Sequence, residues 1–149
     1  MQGLIIKKIE KFEDKRGWLA EIFRSDEFEY EPVMSYVSIT NPGFVRGPHE
    51  HKFQADCFAF IGPGNFELHL WDNRENSPTK SEYVKIEVGE NNPSVVLVPA
   101  GIVHGYKCVS ENSAYCINFP DKLYKGEGKK EEVDEIRWEK DPNSPFKIE

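Results

Sequence analysis

Residues 56–72 read DCFAFIGPGNFELHLWD, and the spacing of their apolar side chains decides what the rest of the chain builds. In NFELHLWD, Phe66, Leu68 and Leu70 recur at every second residue, the period of a β-strand rather than of a helix, and Asp72 falls in step with them. In DCFAFIG, Asp56 is likewise in phase with Phe58 and Phe60. The IGPGN between them carries the Gly and Pro that end one strand and turn the chain into the next. Two adjoining strands are therefore expected, each directing apolar residues and one carboxylate at a common interior. Buried carboxylates need partners, so Asp56 and Asp72 mark where polar chemistry is to be sought. His69 lies in the opposite phase and is expected at the surface.

The same signal extends outward. β-Rich runs occur at LIIKKIEKF, WLAEIFR, VMSYVSIT, EYVKIEV, SVVLVP, VHGYKC and AYCINF, divided by turn signals such as NPG, ENSP and ENNP. About nine short strands at this spacing suit an all-β jelly-roll barrel or sandwich whose mouth can hold a polar site. A length of 149 residues fits one domain over 1–149. Phe58, Phe60, Phe66 and Trp71 are expected in the core or at its rim. From Lys125 the chain becomes strongly charged; Val133 and Ile136 at helical spacing, with Trp138 free to dock, predict a short C-terminal helix against the barrel. Lys80 to Glu82 and Gly126 to Glu132 are expected as solvated loops.

Nineteen Lys and Arg against 26 Asp and Glu give a net charge of -7, which argues against nucleic acid as a partner, since phosphates demand a basic face. A small phosphorylated ligand held by a few arginines stays open. The opening MQGLIIKKIEKFEDKRG lacks the apolar core of a signal peptide, and no stretch is long and apolar enough to span a membrane, so a cytoplasmic protein with no membrane partner is expected. Cys57, Cys108 and Cys116 are odd in number and lie in apolar runs, which predicts reduced core residues.

Two segments look made for one site. RGPHEHKFQAD, residues 46–56, carries His49 and His51 one residue apart and then Asp56; VPAGIVHGY carries His104. Residues i and i+2 of a strand face the same way, so His49 and His51 can converge, and a neighbouring strand can add His104. Imidazoles with a carboxylate suit Fe, Mn, Ni, Cu or Zn. Together the segments resemble the two cupin signatures, with Asp56 in place of the usual glutamate. A longer resemblance covers most of the chain: DKRGWLAEIFR, SITNPGFVRGPH, FQADCFAFIGPGNFELHLWDNRENSPT, VPAGIVHGYKCVSENSA and EIRWEKDP are similar to the dTDP-4-dehydrorhamnose 3,5-epimerase family, itself built on the cupin jelly roll.

That resemblance implies a nucleotide-linked 4-keto sugar as ligand, a base that removes a weakly acidic hydrogen beside the ketone, and no required cofactor. By family position His49 is the base, His104 lies near the same pocket, and Asp72 is the carboxylate orienting an inward histidine. Arg16 and Arg46 are expected to hold phosphate or sugar oxygens, with Glu21, His51, Gln54 and Asn118 as further substrate contacts. The resemblance also implies a homodimer, in which Arg16 reaches the partner's pocket.

The chain departs from the family in three places. Asp56 stands where the family has a pocket lysine, Asn118 where it has a proton-donating tyrosine, and the sequence ends at SPFKIE before the segment in which the family carries the aspartate that partners the base. Tyr106, Tyr115, Tyr124 and Lys107 are the candidate substitute acids. Three readings compete: an epimerase or isomerase of nucleotide-activated 4-keto-6-deoxy sugars serving polysaccharide synthesis; a metal-dependent cupin enzyme in which His49, His51, Asp56 and His104 hold a divalent transition metal; and a sugar-nucleotide-binding protein without catalysis. The structural alternatives are a turn-capping His49, a partly exposed His51, a His104 hydrogen-bonded to a buried carboxylate, Asp56 in a salt bridge, an Asp72–Arg74 pair, and loop-bracing Arg16 and Arg46.

Overall fold

A computed structural model describes residues 1–149. The chain forms β1 (Ile5–Lys8), β2 (Phe12–Asp14), β3 (Gly17–Leu19), β4 (Tyr36–Thr40), β5 (Val45–Glu50), β6 (Asp56–Phe60), β7 (Asn65–Asp72), β8 (Tyr83–Gly89), β9 (Ser94–Val98), β10 (Ile102–Cys108), β11 (Ala114–Asn118) and β12 (Ile136–Arg137). Two five-stranded antiparallel sheets, ordered β1-β9-β6-β11-β4 and β12-β5-β10-β7-β8, stack as a jelly-roll sandwich, with β2 and β3 forming a separate hairpin. The all-β jelly roll expected from the sequence is the fold found. No helix is long and apolar enough to cross a membrane.

The phase argument explains the packing. Phe66, Leu68 and Leu70 of β7 meet Phe58, Phe60, Val96 and Val98 of the facing sheet in the main core. Each such side chain contributes roughly 1.5–3 kcal/mol when taken from water. β6 and β9 are buried at every residue rather than alternately. Their outer face carries Cys57, Ala59, Val95 and Leu97, and the segment containing Ile22, Phe23, Phe28 and Tyr30 covers it. Tyr30 secures that cover by donating to the Ala55 and Phe119 carbonyls at 2.9 and 2.6 Å. The three cysteines are free and buried, as expected.

Two expectations are overturned. The charged C-terminal region is not an α-helix: it is the short strand β12 between two single 3-10 turns, Glu127–Lys129 and Trp138–Lys140. β12 gains more by pairing with the open edge of β5, Ile136 opposite Glu50 and Arg137 opposite His49, than a two-turn helix would gain alone. His69 does project from the outer face of β7, but it is only 5% exposed. Tyr83 and Glu67 hold its two ring nitrogens at 2.7 and 2.9 Å, and Trp71 stacks on it.

Candidate functional site

β5 and β10 run antiparallel with His104 directly opposite His49. That approach depends on Gly47, whose φ of +81° suits glycine and whose missing side chain leaves room for the His104 carbonyl; a Cβ there would sit 2.7 Å from that oxygen. His51 follows just beyond β5. The ring centroid of His49 lies 4.5 Å from that of His104 and 5.5 Å from that of His51. One nitrogen of each of the three rings lies within 4.8 Å of the others. His49 and His51 line a cavity of about 1040 Å³ at the mouth of the sandwich, together with Tyr36, Arg46, Gln54, Tyr106 and the segment from Pro120 to Glu139.

Beneath the histidines Asp56, 2% exposed, points inward from the start of β6. Its Oδ1 accepts from Gln54 Nε2 at 2.9 Å and from Asn118 Nδ2 at 2.7 Å. Its Oδ2 lies 3.3 Å from His51 Nε2 and 3.4 Å from His104 Nε2. Burial alone would raise its pKa, but the neighbouring His104 and His51 outweigh that and hold the carboxyl well below the usual range.

The three imidazoles are not equivalent. His104 donates from Nδ1 to the Ile102 carbonyl at 2.9 Å, leaving Nε2 buried without a hydrogen-bond partner. His51 has acceptors on both sides, the Asp134 carbonyl at Nδ1 and Asp56 at Nε2. Burial works to lower its pKa, yet the hydrogen bond and charge of Asp56 prevail and raise it. His49 has no hydrogen-bond partner; burial first, then His104 and His51, push its pKa well below the ordinary value. A neutral ring with a free lone pair thus stands beside a ring held toward its cation.

Asn118, fully buried at the end of β11, also donates to the Tyr36 hydroxyl at 3.0 Å. Burial pushes the Tyr36 phenol up to about 12 despite that hydrogen bond, which favours the phenolate. Arg46 is braced at one side by Thr40 Oγ1 and the Ile39 carbonyl, at 2.9 and 2.7 Å.

Other expected site residues are not brought here. Asp72 is buried and in phase, but the turn after β7 folds back on it: Arg74, Ser77 and Thr79 donate to its carboxylate at 2.6–2.8 Å. It is a strand-end brace with no histidine in reach. Arg16 sits at the tip of the β2–β3 hairpin, its side chain 83% exposed and paired with Asp14. Glu21 pairs with Arg24 beside a separate hollow of about 190 Å³. Among the candidate acids, Lys107 is tied to the Glu149 carbonyl, while Tyr106 and Tyr124 line the cavity.

The sequence reading missed Tyr36, Asp134 and Glu135. The Asp134 carboxylate accepts from the backbone N–H groups of Lys52, Phe53 and Gln54, fixing the loop that carries His51. Glu135 Oε1 faces His49 Nε2 at 3.9 Å, while Arg137 holds its other oxygen at 2.6 Å. Only the pairing of β12 with β5 brings these residues in; the one available signal was their place in a charged run after the last obvious strand.

The comparisons agree with this architecture. The family described as dTDP-4-dehydrorhamnose 3,5-epimerase matches residues 1–144. A probable low-salt glycan biosynthesis epimerase, Agl13, of Haloferax volcanii is 40% identical over 122 residues, 80% of this chain and 78% of that protein. The spore coat polysaccharide biosynthesis protein SpsL of Bacillus subtilis is 36% identical over 126 residues, covering 83% and 82% of the two chains. The crystal structure of dTDP-4-dehydrorhamnose 3,5-epimerase from Sulfolobus tokodaii superposes with a TM-score of 0.72 at 31% identity, covering 80% of this chain and 70% of that one. The chain belongs to the dTDP-4-dehydrorhamnose 3,5-epimerase family.

Proposed function

We propose that this protein is a nucleotide-sugar epimerase or isomerase. It removes a proton from carbon beside the ketone of a nucleotide-activated 4-keto-6-deoxy sugar and returns one through an enolate, in the synthesis of cell-surface polysaccharide precursors. The observation that carries this reading is the pair of adjacent histidines in opposite surroundings: His49 buried with no hydrogen-bond partner, which favours its neutral form, and His51 set between Asp56 and the Asp134 carbonyl, which favour its cation. Environments that drive two neighbouring groups apart assign base and electrophile. His49 takes the proton, the C–H electron pair becomes the C=C bond, and negative charge grows on the ketone oxygen. The His51 imidazolium supplies positive charge at that oxygen, so Asp56, standing where the family has its lysine, acts by keeping His51 charged. Arg46, on the cavity wall, offers its remaining N–H groups to phosphate or sugar oxygens.

The reaction requires no cofactor. Residues 1–149 act as one cupin domain in the cytoplasm, with a nucleotide-activated sugar as partner and neither nucleic acid nor membrane. The pairing of copies as a homodimer is supported by exposed apolar side chains on edge strand β4 and on the β2–β3 hairpin, Val37 at 61% and Leu19 at 64%. A second copy then brings Arg16 and Glu21 to the cavity they do not reach within one chain. The relatives named for glycan and spore coat polysaccharide synthesis support the biosynthetic setting.

The test is to incubate dTDP-, GDP- and UDP-linked 4-keto-6-deoxy sugars in deuterated water and follow the positions beside the ketone by NMR. At least one position exchanges; no exchange across the panel would reject the isomerase function in favour of a binding protein.

The buried, unpartnered His104 Nε2 supports a second reading, in which His49, His51 and His104, with Asp56, hold a divalent transition metal ion. An ion would occupy the lone pair that the base needs. Exchange that persists after chelation, in protein shown metal-free by elemental analysis, selects proton transfer by His49; exchange that disappears and returns with metal selects the ion.

A further inference from the structure

Inverting a carbon requires two groups on opposite faces of it, a base that removes the hydrogen and an acid that returns one from the other side. The base assigned above, His49, stands on β5 in one sheet. Across the mouth, on β4 of the other sheet, Tyr36 lines the same cavity. β4 and β11 pair with Tyr36 directly opposite Asn118, so the buried Asn118 amide reaches the phenol oxygen. That hydroxyl accepts one hydrogen bond, and its own proton has no acceptor in the protein.

We propose that Tyr36 is the proton donor of the reaction and that Asn118 is the residue that makes it one. Asn118 Nδ2 is held by Asp56 Oδ1 at 2.7 Å and faces the phenol oxygen at 3.0 Å, where negative charge appears once the proton has left. The other phenols of the cavity lack this arrangement. Tyr106 is 4% exposed and engages Ser38 Oγ at 3.3 Å, and Tyr124 has no polar group on its hydroxyl. In the return step the enolate electron pair forms a new C–H bond with the Tyr36 proton, and the O–H pair stays on the phenolate beside Asn118. Water then carries the proton gained by His49 back to Tyr36, so the cycle involves no net oxidation or reduction.

The inference rests on the proton-transfer function proposed above, and one experiment separates the two. Wild type and Tyr36→Phe are followed in deuterated water with the sugar nucleotide that the wild type turns over, reading deuterium entry and inversion separately. Without an acid on the far face, deuterium returns only from His49. Tyr36→Phe therefore inverts at least ~100-fold more slowly, while exchange with retained configuration stays within about tenfold of wild type. Inversion at near wild-type rate in Tyr36→Phe, parallel loss of exchange and inversion, or selective loss of inversion in Tyr124→Phe instead would each overturn the role of Tyr36. A wild type that exchanges nothing would sink the underlying function itself. Tyr36 is half exposed and phenylalanine keeps its ring, so folding, checked by thermal melting, is preserved.

Discussion

Replacing Asp56 with asparagine removes one negative charge and leaves the shape of the side chain intact. Gln54 and Asn118 donate to Oδ1 of this carboxylate, and the Nε2 atoms of His51 and His104 lie 3.3 and 3.4 Å from Oδ2. The asparagine carbonyl keeps the first two. Its amide takes the place of Oδ2 and faces His51, which must then be neutral to accept from it. Truncating one partner of a buried ion pair costs about 3–5 kcal/mol, but here the new amide finds an acceptor and a buried charge is relieved, so a loss of about 2–3 kcal/mol is expected at pH 6. In a chain of this size that lowers Tm by roughly 4–12 °C. The pH dependence carries the sign. His51 has a folded pKa above its ordinary value, so its contribution is fully present below that value and lost as pH rises through the folded one. Asp56 is shifted down, and its contribution is present above the ordinary carboxylate value and lost only in strong acid. The Tm gap between wild type and Asp56→Asn is therefore widest near pH 6 and narrows toward pH 9. Turnover of the sugar falls by about 10²-fold or more at pH 6, as when one charge-stabilising donor is removed from an enolate or oxyanion, and this deficit narrows toward pH 9 as wild-type His51 gives up its proton. Melting curves at pH 6, 7.5 and 9 with exchange rates alongside test this. A gap that does not change with pH, or a variant as active as wild type, would refute the assignment of His51 as the cation that Asp56 maintains.

Gly47→Ala places a Cβ 2.7 Å from the His104 carbonyl at a φ of +81°, so it should cost about 2–4 kcal/mol and prise β5 from β10; thermal melting should show the loss, and exchange should fall because His49 moves with β5. Asp72→Asn should cost about 2–3 kcal/mol through the broken Arg74, Ser77 and Thr79 contacts yet leave exchange at wild-type rate. Because Arg74 holds Asp72 below its ordinary pKa, that stability difference should vanish as pH falls through the folded value; a large loss of exchange would restore Asp72 to the chemistry.

Much of the fold was legible from a period of two. The alternation in β7 aimed Phe66, Leu68, Leu70 and Asp72 inward, and all four are buried. The same alternation could not tell that the outer face of β7 is covered too, because that depends on Tyr83, Glu67 and Trp71 closing over His69. The helical spacing of Val133 and Ile136 misled for a related reason. A short segment takes its form from what it docks on, and the open edge of β5 offered backbone partners.

The sequence by itself determined most of the strands and their inward faces, and set His49 and His51 toward one side, since those follow from local periodicity and the i, i+2 rule; the register of β10 on β5 brought His104 opposite His49. Only the tertiary structure decided what each histidine can do. Asp56 meets Asn118 across 62 residues, Asn118 meets Tyr36 across 82, and His51 meets Asp134 across 83. Such contacts are set by cross-strand register and by the edge on which β12 comes to rest, and no local pattern records them. Protonation states follow from burial and neighbouring charge, which exist only once the two sheets have closed.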